Sequence, residues 1–175
     1  MAQDYHRYNA LYYEEVPFSV GRIAAYIMAA VALVMLLSWT YQTGGSSIER
    51  EELPALFYFG MSLFFIILTA LLFTLSKIII AIHEDKINVS VGIFKFNTLL
   101  SNISEVTTDE HSNLKYGGWG IRTRLYKEGW VLAYTTFKYK RVSLKLKEGK
   151  YKGFVFSTTD SQQIIDTLKR FIKYA

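Results

Sequence analysis

Asp109, Glu110 and His111 stand together, and their side chains are of the kind that bind metal ions. His6 and His83 are the other two histidines, the residues a serine nucleophile would need beside it. Neither set fits its chemistry. Consecutive loop positions rarely converge on one ion, and no second cluster of ligands completes the first. Neither histidine has a serine or carboxylate partner at the spacing of a nucleophilic triad. The chain lacks cysteine, which removes disulfides, thiol nucleophiles, Fe–S ligation and cysteine zinc sites. No glycine-rich phosphate loop opens a helix. The expectation is a non-enzymatic protein with no catalytic residue, metal site or cofactor.

The remaining candidates are cations and an aromatic side chain, which suit binding. Arg122 and Arg124 share one face of a strand and suit an acidic headgroup or a carboxylate. Trp119 lies beside them as an interfacial or partner-binding anchor. The densest basic run holds Lys138, Lys140, Arg141, Lys145 and Lys147, followed by Lys150 and Lys152. Lys145 and Lys147 line one face, and anionic lipid gains about 1 kcal/mol per cation close to its surface. The plainer alternatives are solvated strand cations and a Trp119 packed on the rim of its domain, with Gly117, Gly118 and Gly120 making room for it. Nucleic acid is not an expected partner, since no recognised motif accompanies the interleaved Tyr139 and Tyr151.

Two uncharged stretches in the first half must place this basic second half. No charged residue lies between Arg22 and Glu49 or between Glu52 and Lys77. The apolar cores, residues 23–39 and 53–76, approach the roughly 20 residues that span a bilayer, the first with help from Ser19, Val20, Thr40 and Tyr41. A tyrosine-rich leader precedes the first, and no small-residue cleavage site follows it, so it reads as a retained helix. The chain thus divides into a leader (1–17), a two-helix transmembrane hairpin (18–76) and a water-soluble domain (77–175). Net charge is −3 up to Ser76 and +8 beyond. The loop at 40–52 is acidic apart from Arg50, whereas Arg7, Arg22, Lys77, Lys86 and Lys95 flank the helices, which places both termini in the cytoplasm. Trp39, Tyr41, Phe57 and Tyr58 suit interfacial belts. Asn88-Val89-Ser90 and Asn102-Ile103-Ser104 match the glycosylation pattern, but a cytoplasmic domain never meets the transferase. Ala25, Ala29 and Ala32 share a helical face and suit the seam of the hairpin; Gly60, Ser62, Thr69 and Ala70 are the small residues of the second helix. With no ionisable side chain inside either helix, ion transport by the hairpin alone is not expected.

Beyond Lys77 the periodicity becomes that of strands. Ile78, Ile80 and Ile82 alternate with their neighbours, as do Ile87, Val89 and Val91. Further strands are expected at 93–99, 103–107, 121–125, 130–135, 141–147 and 151–157, with a hairpin turn at Tyr126-Lys127-Glu128-Gly129. Thr158-Thr159-Asp160 caps a closing helix whose stripe is Ile164, Ile165, Leu168, Phe171 and Ile172. That stripe needs a sheet to cover. The fold class is a membrane α-helical hairpin plus an antiparallel β-barrel or sandwich of about seven strands with a C-terminal helix.

Tyr116-Gly117-Gly118-Trp119-Gly120-Ile121-Arg122, Gly129-Trp130, Ala133-Tyr134, Val142-Ser143-Leu144, Glu148-Gly149-Lys150 and Phe156-Ser157-Thr158 resemble the prokaryotic PH-like (bacterial pleckstrin-homology-like) domain proteins. The order of parts is similar to the subgroup with two N-terminal membrane helices and one such domain, whose leader carries a run like Tyr12-Tyr13-Glu14-Glu15-Val16-Pro17-Phe18. The resemblance implies a PH-type barrel capped by a helix, in a prokaryotic cell membrane. The chain departs from that pattern at 135–140, where a longer segment replaces a short polar turn. The expected function is a membrane-anchored interaction or scaffold protein, an accessory subunit of a larger membrane complex or a homo-oligomer, with lipid and other membrane subunits as partners. The alternative is a module that senses anionic lipid.

Overall fold

The computed structural model describes residues 10–44, 55–111 and 113–172. Of the turn expected at Gly44-Gly45-Ser46-Ser47, all but Gly44 lies outside them, as do the charged loop residues around Arg50, and Arg7. The chain forms two compact units: one is the helical segment Phe18–Ser76, and the other joins the residues before it to those after it.

The helical unit is a hairpin of α1 (Ser19–Gly44) and α2 (Ala55–Thr74). Both are long and apolar enough to cross a membrane. Ala25, Ala32 and Ser62 are buried between them, whereas Ala29 is only half-buried, Gly60 and Ala70 face outward, and Thr69 is partly covered. Small side chains let the backbones approach, and rings close the flanks: Tyr26 meets Phe73 edge-on at 5.6 Å and Trp39 meets Phe59 at 5.3 Å. The hydroxyls along the helices bond inward, Ser62 to the Phe59 carbonyl and Thr69 to the Phe65 carbonyl, both at 2.8 Å. They therefore need no other partner.

The second unit holds two sheets. The first is a meander of β1 (Tyr12–Pro17), β2 (Lys77–Ile82), β3 (Lys86–Val91) and β4 (Phe94–Leu99), in that order. The second contains β5 (Ile103–Asp109), β6 (Gly120–Tyr126), β7 (Gly129–Thr135), β8 (Lys140–Leu146) and β9 (Tyr151–Thr158), in the order β5-β8-β9-β7-β6. The sheets are not closed into a barrel. The antiparallel, seven-stranded expectation is corrected in two further respects. Nine strands occur among the described residues, and β7 runs parallel to β9, with Val131 opposite Gly153 and Ala133 opposite Val155. The reason lies in the segment 136–139. It carries the chain from β7 over the end of β9 to β8, two strand spacings or about 10 Å away. A two-residue hairpin turn cannot span that distance, which accounts for the length of this segment.

The sheets face each other across an apolar core. Phe96 of β4 stacks on Phe154 of β9 with ring centroids 3.9 Å apart, and Tyr134 meets Phe154 edge-on at 5.2 Å. Ile80, Ile82, Ile87, Val89, Leu144 and Phe156 are fully buried around them. The expected strand alternation therefore places the inner face correctly. The closing helix α3 (Ser161–Ile172) buries Ile164, Ile165 and Leu168, packing on β5 and β8. Its N-cap is Asp160, whose carboxylate accepts the Gln163 N–H at 3.0 Å.

The sequence alone sets residues 1–17 apart as a leader, whereas the structure builds their last six into the folded unit. β1 pairs along its whole length with β2, Val16 opposite Ile78 and Glu14 opposite Ile80. Glu14 is buried and points inward. One carboxylate oxygen accepts the Tyr12 hydroxyl at 2.9 Å and the Thr158 hydroxyl at 2.6 Å; the other accepts the Thr159 N–H at 2.6 Å and its hydroxyl. Burial, then the Glu14 carboxylate, push the Tyr12 phenol well above its ordinary pKa and keep it a neutral donor.

Glu14→Ala leaves the Thr158 and Thr159 donors without their acceptor and should cost about 1–3 kcal/mol. Glu14→Gln, which retains one acceptor oxygen, should cost less. Urea unfolding of the sheet unit within the full chain measures both; equal midpoints for Glu14→Ala and the parent would rule out a stabilising role for the clamp.

Candidate functional site

The second sheet buries residues on both faces, and its outer face carries the site. Cross-strand register lines up two rows there: Glu105, Lys145, Gly153, Val131 and Arg124 in one, Thr107, Ser143, Val155, Ala133 and Arg122 in the other. Small and apolar side chains occupy the middle, and charge collects at the ends. An outward sheet face normally meets water, yet Ala133 and Val155 are each only 1% exposed. A 3-10 turn, Asn113–Tyr116, folds over them and lays the Tyr116 ring on both. Where that cover stops, the same face opens into a groove of about 540 Å³.

Gly153 and Val131 form the floor, with Ser143 and Thr107 adding hydroxyls. Tyr116 and Tyr126 make an aromatic wall, their rings edge-on at 6.4 Å. The Tyr126 hydroxyl donates to the Lys115 carbonyl at 2.5 Å, and the Lys115 ammonium lies 6.0 Å from each ring centre. Lys127, Lys145 and Lys152 line the rim with Glu105 and Glu128. Lys145 and Glu128 form an exposed pair at 3.3 Å, which contributes little to stability. The turn between β6 and β7 is tight against this rim. Gly129 has φ +127°, and a Cβ there would lie 2.7 Å from Lys152 Cγ, so both conformation and space demand glycine.

The wall is held from beneath. Asp109 and Arg141 form a buried ion pair, Nε to Oδ2 at 2.8 Å, and the Arg141 guanidinium sits 5.9 Å from the Tyr116 ring. Burial and the Asp109 carboxylate push the Tyr116 phenol well above its ordinary pKa. This corrects one sequence expectation. Arg141 is not a contact for lipid or partners, because it is buried against Asp109. Asp109 takes part in the same pair, and its other oxygen accepts the His111 N–H at 3.3 Å, so this carboxylate is committed to holding the turn.

The other predicted residues scatter. Arg122 and Arg124 lie exposed on the edge strand β6, on the groove face; Arg124 donates to the Lys115 carbonyl at 2.6 Å and lies over the Tyr126 ring at 5.8 Å. Lys145 lines the groove. Lys147 turns away to donate to the Ser101 carbonyl. Lys138 and Lys140 are exposed on and just after the crossover, where Trp119 packs on Phe137 at 5.3 Å. The glycines around Trp119 do not serve to make room. A Cβ at Gly117, Gly118 or Gly120 meets nothing within 4 Å, but all three have positive φ, +86°, +107° and +94°. Backbone conformation is what they supply. Asn102 is likewise structural: its amide donates to Thr98 Oγ1 and the Glu148 carbonyl, and its oxygen accepts the Glu148 N–H.

Sequence reasoning missed Tyr116, Tyr126, Val131 and Gly153 as a group. One signal was available. In β9, Val155 continues the apolar character outward while Phe154 and Phe156 face in, the mark of a strand covered on both faces.

Asp109→Ala should cost about 3–5 kcal/mol by stranding a buried guanidinium, whereas Glu128→Gln should change stability by less than about 1 kcal/mol. Comparable losses in urea unfolding would contradict this ranking. The folded-state pKa of Tyr116 is raised, so its contribution is complete below the ordinary tyrosine value of about 10 and is lost as pH climbs beyond it. Tyr116→Phe should remove one late-titrating phenol from the absorbance titration. Comparison with protein-family models, curated proteins and solved structures finds no match for this chain.

Proposed function

We propose that this chain is a membrane-anchored interaction protein of the PH-like kind, whose hairpin lies in the bilayer and whose sheet unit binds other membrane subunits or further copies of itself. One observation carries the reading. The hairpin leaves large apolar side chains bare on every side: Leu33, Val34 and Leu37 of α1 and Leu63, Ile66 and Ile67 of α2 are each about half exposed or more. A helix that is apolar all round has no face for water. Lipid, or the flank of another membrane helix, removes that cost, and every backbone group within the two helices can be satisfied internally. The basic flanks favour a cytoplasmic location for both termini and for the sheet unit. The groove of the sheet unit, lined by hydroxyls, phenols, lysines and two glutamates over an apolar floor, supports binding.

A second reading rests on the crossover. Trp119 and Phe137 form a partly exposed aromatic pair, 36% and 65% bare, close in sequence to Lys138 and Lys140. Aromatic rings flanked by lysines suit the surface of an anionic leaflet.

The cysteine-free chain makes both readings testable. A single cysteine at Leu33 or Ile67 should resist a membrane-impermeant maleimide in intact membranes, while one at Lys138 should react only when the cytoplasmic face is open; the protein should also withstand carbonate extraction. Release by carbonate would overturn the anchoring. For the second reading, Lys138→Gln with Lys140→Gln should lower the on-rate of the sheet unit for anionic over zwitterionic vesicles in low salt. An unchanged rate would remove it.

A further inference from the structure

We infer that the outer groove of the second sheet is a binding site for a small organic anion with a flat apolar body, such as an aromatic carboxylate. The inference rests on the groove alone and does not depend on membrane insertion. About 540 Å³ is the size of a site for a small molecule. The floor is flat because it is a pleated sheet with its side chains cut short at Gly153 and Ser143, flanked by Val131 and Val155. Gly153 is the key position: a Cβ there would lie 3.2 Å from Val131 Cγ2, so any side chain would grow into the groove or press on its floor. Tyr116 and Tyr126 are locked on one side, the first against Ala133 and Val155, the second by its bond to the Lys115 carbonyl. A planar body can lie on this floor with one edge against the wall.

The rim selects the sign of charge. Lys115, Lys127, Lys145 and Lys152 outnumber Glu105 and Glu128 among the lining residues, and Glu128 is already paired with Lys145. Lys115 rides above both tyrosine rings, 6.0 Å from each centre, and so stands over the mouth of the apolar slot. A ligand with its ring on Val131 and Gly153 presents its anionic group to Lys115 and Lys145. Arg124 braces the same turn through the Lys115 carbonyl.

The test uses the full chain in zwitterionic nanodiscs, titrated calorimetrically with 2-naphthoate and with uncharged 2-naphthamide, which share one ring system. Naphthoate should bind at one saturable site and at least about fivefold more tightly than the amide. Lys115→Gln with Lys145→Gln, both on the surface, should erase that preference, bringing the two compounds to within about twofold of each other. Gly153→Val should abolish binding of both compounds. If that variant unfolds, the lysine pair still decides the matter. No binding of naphthoate, equal binding of the two compounds, or a preference that survives loss of both lysines would each overturn the proposal.

Discussion

A single buried carboxylate reconciles the two halves of this chain's architecture. The helical hairpin interrupts the sheet unit in sequence, so β1 and β2 are adjacent in space but separated by residues 18–76. Loop-closure entropy grows only slowly with the length of such an insertion. The strand still needs a reason to return. Hydrogen bonding to β2 and the burial of Val16 supply part of it, and Glu14 adds to it by reaching past its own sheet to Thr158 and Thr159 at the end of the other. A buried charge is tolerable only when fully bonded, and here hydroxyl and backbone donors saturate both oxygens. One residue thereby joins the first strand, the last strand and the start of α3.

The second sheet shows the consequence of inserting β9 between β8 and β7. A central strand is covered on both faces, and its side chains reflect that: Phe154 and Phe156 build the core between the sheets, while Gly153 and Val155 form part of an outer floor. The parallel pairing also sets the outer rows in register, so small residues from three strands become contiguous. The buried Asp109–Arg141 pair then positions the turn that covers half of this floor and leaves the other half open. A structural ion pair beneath and an aromatic wall above create a preformed slot, and preformed slots lose little conformational entropy when filled.

The hairpin solves a different problem with different means. Its interface depends on the small residues Ala25, Ala32 and Ser62 and on two cross-helix ring contacts. Hydrophobic burial cannot select that interface if the surroundings are themselves apolar; close packing must. The sheet unit, by contrast, is organised by burial, and the carboxylates it buries, Glu14 and Asp109, are met by donors. One chain therefore contains two units, one packed by small side chains between apolar helices and one by a buried core between sheets.

Much of this was legible in the residues. The uncharged stretches identify both helices, because bilayer length is a count of apolar residues. Period-two alternation locates most strands and their inner faces, and the stripe of Ile164, Ile165 and Leu168 together with Asp160 identifies α3, because these patterns are local. Pairing is not local. Nothing in Tyr12–Pro17 shows that its partner lies beyond the hairpin, and an inward Glu14 disguises the strand by breaking its apolar face. Alternation is the same for parallel and antiparallel strands, so the place of β9 in the sheet, and the open rather than closed arrangement, could not be read from it. Arg141 resembles every other cation in its run until Asp109, far away in sequence, is brought against it. Composition and periodicity thus determine which segments form and which side of each turns inward. Only tertiary structure decides which segments become neighbours, because that choice depends on contacts whose two halves are written far apart.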